Sequence, residues 1–232
     1  MLDLPASSRR YLQIARNLAN QISDGTYQTG DRLPPERELS VQLQVSRTTV
    51  REALLALEIM HFVEIRVGSG VFVLPENMRD PSYGDLSATE TVGPWEVLEA
   101  RRTIEAQSAF YAALRANDDM LEAIGDTIDR MQAAIDDIPR FDVADADFHA
   151  LIARASANSL FESYVAHLWK MRQGVMWSTW YDKTRKPANR IRSVADHRAI
   201  HAALKRRLPD VAHTAMQAHI DVLTGRFFEL NL

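Results

Sequence analysis

The sequence predicts a mainly α-helical protein in two parts: three helices closed by a small β-hairpin, then an antiparallel all-α bundle of about six helices. Three observations carry this. Up to residue 75 helical and strand-like periodicities alternate, whereas from Pro94 to Leu232 almost every segment repeats at helical spacing. Between them, ENMRDPSYGDLSATETV mixes Pro, Gly, Asn, Ser and Asp with little apolar periodicity, as a linker does. A chain of 232 residues also exceeds one small core. The expected division is 1–75, a linker over 76–92, and 93–232.

In the first part Tyr11, Ile14, Ala15, Leu18 and Ile22 recur at helical spacing and stop at Gly25. Pro34 and Pro35 lead into the short helix ERELSVQL, where proline suits the start. After only LQV, a tight helix–turn–helix connection, Ser46 caps a further helix with Val50, Leu54 and Leu57 on one face. FVEIR and VFVL then alternate as strands around Val67-Gly68-Ser69-Gly70. Helix, helix–turn–helix and hairpin in that order make a winged helix.

In the second part Pro94 opens a helix carrying Trp95, Val97, Leu98, Arg101, Ile104 and Glu105. Further helices are expected over 119–136, 142–156, 159–180, 191–207 and 209–229, the last opened by Pro209. An antiparallel bundle is the default packing for such helices.

Composition narrows the functional classes. The absence of cysteine excludes disulfides and thiolate metal sites and suits a cytoplasmic protein. No apolar run approaches the roughly 20 residues of a membrane span, and the amino terminus does not read as a signal peptide. A net charge of −4 argues against a nucleic-acid coat protein but leaves room for a local basic patch.

Residues 46–54, SRTTVREAL, form such a patch. They are expected to expose Arg47, Thr48, Thr49 and Arg51 at a helix start while Val50, Leu54 and Leu55 turn inward, as a DNA recognition helix requires. Arginine can bind guanine O6 and N7 through two hydrogen bonds, and threonine can bond phosphate or meet a thymine methyl. Arg37 and the amides around Gly68 and Gly70 are placed to hold phosphates.

In the bundle, Asp145 and His149 lie four apart on one helix face, and His197 and His219 occupy later helices. Three imidazoles and a carboxylate suit a borderline divalent ion, zinc first, with nickel or manganese as alternatives. Spacing alone leaves rivals: His201 for His197, His213 for His219, and Asp147, on another face, for Asp145.

The run from Tyr27 to Val73, with TGDRLPPERELSVQLQVSRTTVREALLALE and VGSGVFV, resembles the GntR-family signature. EARRTIE, DADFHALIARASAN, DHRAIHAAL and AMQAHI resemble the FCD ligand-binding domain of its FadR subfamily. The resemblance implies a DNA-binding transcription regulator, a homodimer on a short inverted repeat, and DNA contacts by Arg37, Arg47, Thr48 and Arg51 with Thr49 and Gly68 in support. It implies a metal site of Asp145, His149, His197 and His219, and repression relieved by a small carboxylate effector near Arg101. Arg101 has a salt bridge to a bundle glutamate as its other reading, and Asn158 either touches the effector or caps the helix after it. Met60-His61 departs from the family, which commonly has glycine before the wing. Two other readings stay open: a metal-dependent hydrolase with a DNA-binding module, and a regulator with a purely structural metal. Glu105 and Asp147 are the nearest candidates for a catalytic base, without a supporting pattern.

Overall fold

The computed structural model describes residues 6–78 and 92–229, with the side chains of residues 6–9 left aside. Most of the expected linker, residues 79–91, lies outside the described residues; residues 76–78 form a single 3-10 turn. Two compact units are present. One comprises Met1–Glu96, Gln173–Lys183 and Phe227–Leu232, the other Val97–Arg172 and Thr184–Arg226.

The first unit contains α1 (Ala6–Ser23), α2 (Glu36–Gln42) and α3 (Arg47–Ile59), followed by β1 (Val63–Arg66) and β2 (Gly70–Val73). Tyr11, Ile14, Ala15, Leu18 and Ile22 of α1 are buried, as are Val50, Ala53, Leu54 and Leu57 of α3, so the periodic stripes read from the sequence form one core. Ser46 caps α3, its Oγ accepting from the Thr49 amide at 3.1 Å. The strands pair antiparallel with Val63 opposite Val73 and Arg66 opposite Gly70, and an isolated bridge joins Arg32 to Phe72. At the entry to the wing His61 adopts φ 57°, the left-handed conformation that glycine would take freely. The turn is therefore kept with a different residue.

The first unit also includes most of α8 (Val175–Thr184) and the last residues of α10 (Pro209–Phe228). Trp177 and Trp180 meet edge to face at 4.8 Å, and Trp180 reaches the Phe227 ring at 5.5 Å. Lys183 Nζ donates to Glu58 Oε1 at 2.9 Å and to the Ile65 carbonyl at 3.3 Å.

In the second unit lie α4 (Pro94–Arg115) from Val97 onward, α5 (Asp118–Ala133), α6 (Ile138–Ala155), α7 (Ser159–Met171), α9 (Pro187–Lys205) and most of α10. Its core sets the small side chains Ala106, Ala109, Ala112 and Ala113 of α4 with Ile124, Ile128, Phe141, Phe148, Ile152, Ile200, Leu204, Met216 and Ile220. Asn117 and Asp137 cap α5 and α6, accepting from Met120 N and Arg140 N. The helix expected over 159–180 is two helices, α7 and α8, separated around Gly174. The apolar period runs across that break, so only the glycine marks it.

Candidate metal centre and DNA-reading surface

Asp145 and His149 project from one face of α6, His197 from α9 and His219 from α10, and all four are buried. One ligand atom from each lies within 4.8 Å of the others. His197 Nε2 is 3.2 Å from His219 Nε2 and 3.4 Å from Asp145 Oδ1, and His149 Nε2 is 3.7 Å from that same oxygen. Atoms about 2.1 Å from a shared ion stand roughly 3.0–3.4 Å apart, so the set nearly matches a coordination shell.

The chemistry of the donors fits too. His149 Nε2 is buried without a hydrogen-bond partner among the described residues, and His197 and His219 face each other through nitrogens of the same kind. A cation satisfies all three lone pairs, which a hydrogen bond cannot do. The rival histidines go elsewhere: His201 Nε2 meets the Leu121 carbonyl at 2.8 Å, and His213 is half-buried away from the cluster. Asp147 pairs with Arg130 at 2.7 Å on the surface.

Charge around the cluster is uneven. Burial alone would raise the Asp145 carboxyl, but His149, His197 and Arg172 outweigh it and hold the group well below the usual range. Burial and the neighbouring His219 depress His197 strongly; burial also depresses His219, against the opposing bond from Asp196. His149 runs the other way: burial lowers it, yet Glu105 and Asp145 on either side raise it overall.

Sequence reasoning missed several neighbours. Glu105 Oε2 lies 2.5 Å from His149 Nδ1, Asp196 Oδ2 lies 3.7 Å from His219 Nδ1, and Arg172 Nη1 lies 3.5 Å from Asp145 Oδ2. Trp169 sits beneath both guanidiniums, 3.7 Å from that of Arg172 and 4.8 Å from that of Arg101. The four-residue step from Arg101 to Glu105 was the one signal for this set. Arg101 is buried and bonded to Glu105 at 2.6 Å, with Nη1 left without a hydrogen-bond partner among the described residues. Asn158 takes the capping role of its two expected ones: its Oδ1 caps α7, accepting from Leu160 N at 3.0 Å and Phe161 N at 3.4 Å.

On the DNA-reading surface Arg37, Arg47 and Gly68 are exposed, and Thr48 and Thr49 are half-buried with their hydroxyls 2.7 Å from Ser46 Oγ. Gly68 has φ 76°, which the wing turn requires. Arg51 corrects the sequence reading, which had it exposed: it is 0% exposed. Its Nε donates to Glu36 Oε2 at 2.8 Å, its Nη1 bonds the Phe227 carbonyl, and its guanidinium lies 4.9 Å from the Phe228 ring. Glu36 is buried as well and binds Arg47 Nε at 2.7 Å through its other oxygen. The physical reason is position: Arg51 lies one turn beyond Arg47 on the same face of α3, past the exposed helix start, where Glu36 of α2 and the Phe227 carbonyl enclose it.

A winged helix presenting basic residues at a helix start, joined in one chain to a helical unit enclosing a buried His3Asp cluster, defines a DNA-binding protein with a second, all-helical module. The family model described as bacterial regulatory proteins, gntR family, matches residues 10–73, and the FCD domain model matches residues 96–222. The Uxu operon regulator of Haemophilus influenzae is 33% identical over 227 residues, covering 97% of this chain and 84% of its own length. The Exu regulon transcriptional regulator of Escherichia coli is 32% identical over 225 residues, covering 95% of this chain and 85% of its own. Among solved structures, Escherichia coli McbR/YncC shares the fold with a TM-score of 0.52 at 21% identity, covering 94% of this chain and 96% of that one. This chain belongs to the GntR family of transcription regulators and carries an FCD domain. Its relatives regulate transcription and are not enzymes, which removes the hydrolase reading. Among the described residues no helix is long and apolar enough to cross a membrane.

Proposed function

We propose that the chain is a cytoplasmic repressor that binds an inverted-repeat operator as a homodimer and releases it when a small carboxylate occupies a metal centre in the FCD domain. Asp145, His149, His197 and His219 would hold the divalent ion, zinc first, with nickel or manganese as alternatives. The observation that carries this is the enclosure of four convergent ligand atoms within 4.8 Å in a buried site. A bound ion would supply a fixed Lewis-acid anchor for one carboxylate oxygen. Arg101, with its unused Nη1 in the same neighbourhood, suits the charge of that effector. Sugar acids, organic acids and amino acids all meet this description.

On DNA, Arg47 and Thr48 would contact bases at the start of α3, with Arg37, Thr49 and the Gly68 wing on the backbone. Arg51 joins them only when the last turn of α10 releases it. The same helix carries His219 two turns earlier. An effector shifts this equilibrium only by its differential affinity for the held and released states.

The test is a titration of zinc-loaded protein on its own promoter DNA with and without added hexuronate, lactate or amino acids. One class should weaken operator binding in the native protein and leave it unchanged in a His149→Ala/His197→Ala variant. If the variant responds as the native protein does, the metal-anchored reading is wrong. If zinc stays bound but no carboxylate alters affinity, the metal is structural.

A further inference from the structure

We propose that Glu105, on a helix that supplies no ligand, is a positioning residue of the metal centre. It holds the His149 ring so that Nε2 faces the ion, and it fixes Arg101 with the same carboxylate. The inference rests on the metal-centre reading above and deepens it.

Four donors surround this one buried carboxylate. Oε1 accepts from Arg101 Nε at 2.6 Å and from Trp169 Nε1 at 3.3 Å; Oε2 accepts from Arg101 Nη2 at 3.3 Å and lies 2.5 Å from His149 Nδ1. A structural ion pair on α4 is complete with Arg101 alone, one turn away on the same helix. The imidazole is an additional partner from another helix, and its presence sets the tautomer. Nδ1 faces Glu105 at 2.5 Å, though off hydrogen-bond alignment, and a proton held on that side leaves the lone pair on Nε2, the atom 3.7 Å from Asp145 Oδ1 and inside the ligand cluster. The other tautomer would put a proton where the ion belongs. Carboxylate partners of ligating histidines fix ring orientation and raise ligand basicity in this way.

The rest of the environment keeps the carboxylate still. Glu105 is 1% exposed, Trp169 bonds it from α7, and the Trp169 ring lies 5.1 Å from that of His149 at a tilt of 35°. Arg101 is held by two bonds to Glu105, which leaves Nη1 as the donor available to an anion. One side chain therefore orients both a metal ligand and the cationic group beside it.

The experiment uses the full chain, freed of metal and titrated with zinc against a competing chelator. Glu105→Gln, which keeps size and one acceptor, should weaken zinc binding by about 10–100-fold. Its metal-free helicity should match the native protein's. Nitrogen-15 spectra of the native zinc-loaded protein should show His149 protonated at Nδ1 and bound through Nε2. Zinc affinity in Glu105→Gln equal to native, or a His149 bound through Nδ1, overturns the proposal, and the second readout decides even if the variant fails to fold. A native protein that binds zinc no better than His149→Ala/His197→Ala removes the metal centre itself, and the role of Glu105 with it. Native zinc affinity with an unaffected Glu105→Gln removes only the latter.

Discussion

Glu36, buried on α2, binds two arginines of α3, Arg47 through one carboxylate oxygen and Arg51 through the other. The residue types at positions 46–54 mark the segment expected to meet DNA, because a recognition helix needs exposed donors at its start beside an inward apolar face. They do not say that Glu36, ten residues before the segment begins but adjacent in space, gathers both Arg47 and Arg51. Truncating one partner of a buried pair leaves the other charge poorly compensated. Arg51→Ala should therefore lower unfolding stability by about 3 kcal/mol in denaturant titration, and the double variant Glu36→Gln/Arg51→Met should recover most of that. A loss no larger than a surface substitution would mean that Arg51 is solvated in solution. Ala157 is a quieter case: it ends α6 at φ 51°, where a Cβ costs about 1–2 kcal/mol. Ala157→Gly should raise stability by roughly 0.5–1 kcal/mol after the added chain entropy is subtracted, seen as a small rise in Tm.

Helix starts were readable where a cap or proline was weighed: Ser46 and Pro209 stand where their helices begin, whereas α6 and α9 start at Ile138 and Pro187, ahead of the expected 142 and 191. Breaks and docking were less readable. The interruption between α7 and α8 changes the path of the chain without changing its apolar period, and the placing of the α10 terminus against Arg51 depends on contacts remote in sequence. That terminus has a measurable consequence. Phe228 packs edge to face on Trp95 at 5.4 Å and lies under the Arg51 guanidinium at 4.9 Å, a contact of about 1 kcal/mol. Phe228→Ala should loosen the hold on Arg51, whose bonds to Glu36 and the Phe227 carbonyl remain, and tighten operator binding by at most about fivefold at fixed salt, with little change on random DNA. Unchanged or weaker operator binding would show that α10 does not restrain the reading helix.

Across the chain, the two halves were legible to different degrees for one physical reason. A DNA-reading helix carries its function on consecutive residues, whereas the candidate metal centre is assembled from α6, α9 and α10, over 70 residues apart at the extremes, and the carboxylate beside His149 comes from a fourth helix. Periodicity could offer the ligands but not choose His197 over His201, since that choice is made by packing. A site assembled from separate helices has a thermodynamic signature that a local site lacks. Ligation ties three helices of the second unit together only in the folded state, so free zinc at a hundredfold excess over its Kd should add about 2.7 kcal/mol to the unfolding free energy, and chelation should remove it. The increment should vanish in His149→Ala/His197→Ala, whose core residues Phe148 and Ile200 remain in place. A carboxylate that weakens operator binding must in turn be bound more weakly by the same factor when operator DNA is present. Zinc-loaded protein should therefore show a Tm rise with the carboxylate that shrinks on addition of operator duplex and persists with random duplex. A rise indifferent to operator would place the carboxylate at a site uncoupled from the winged helix.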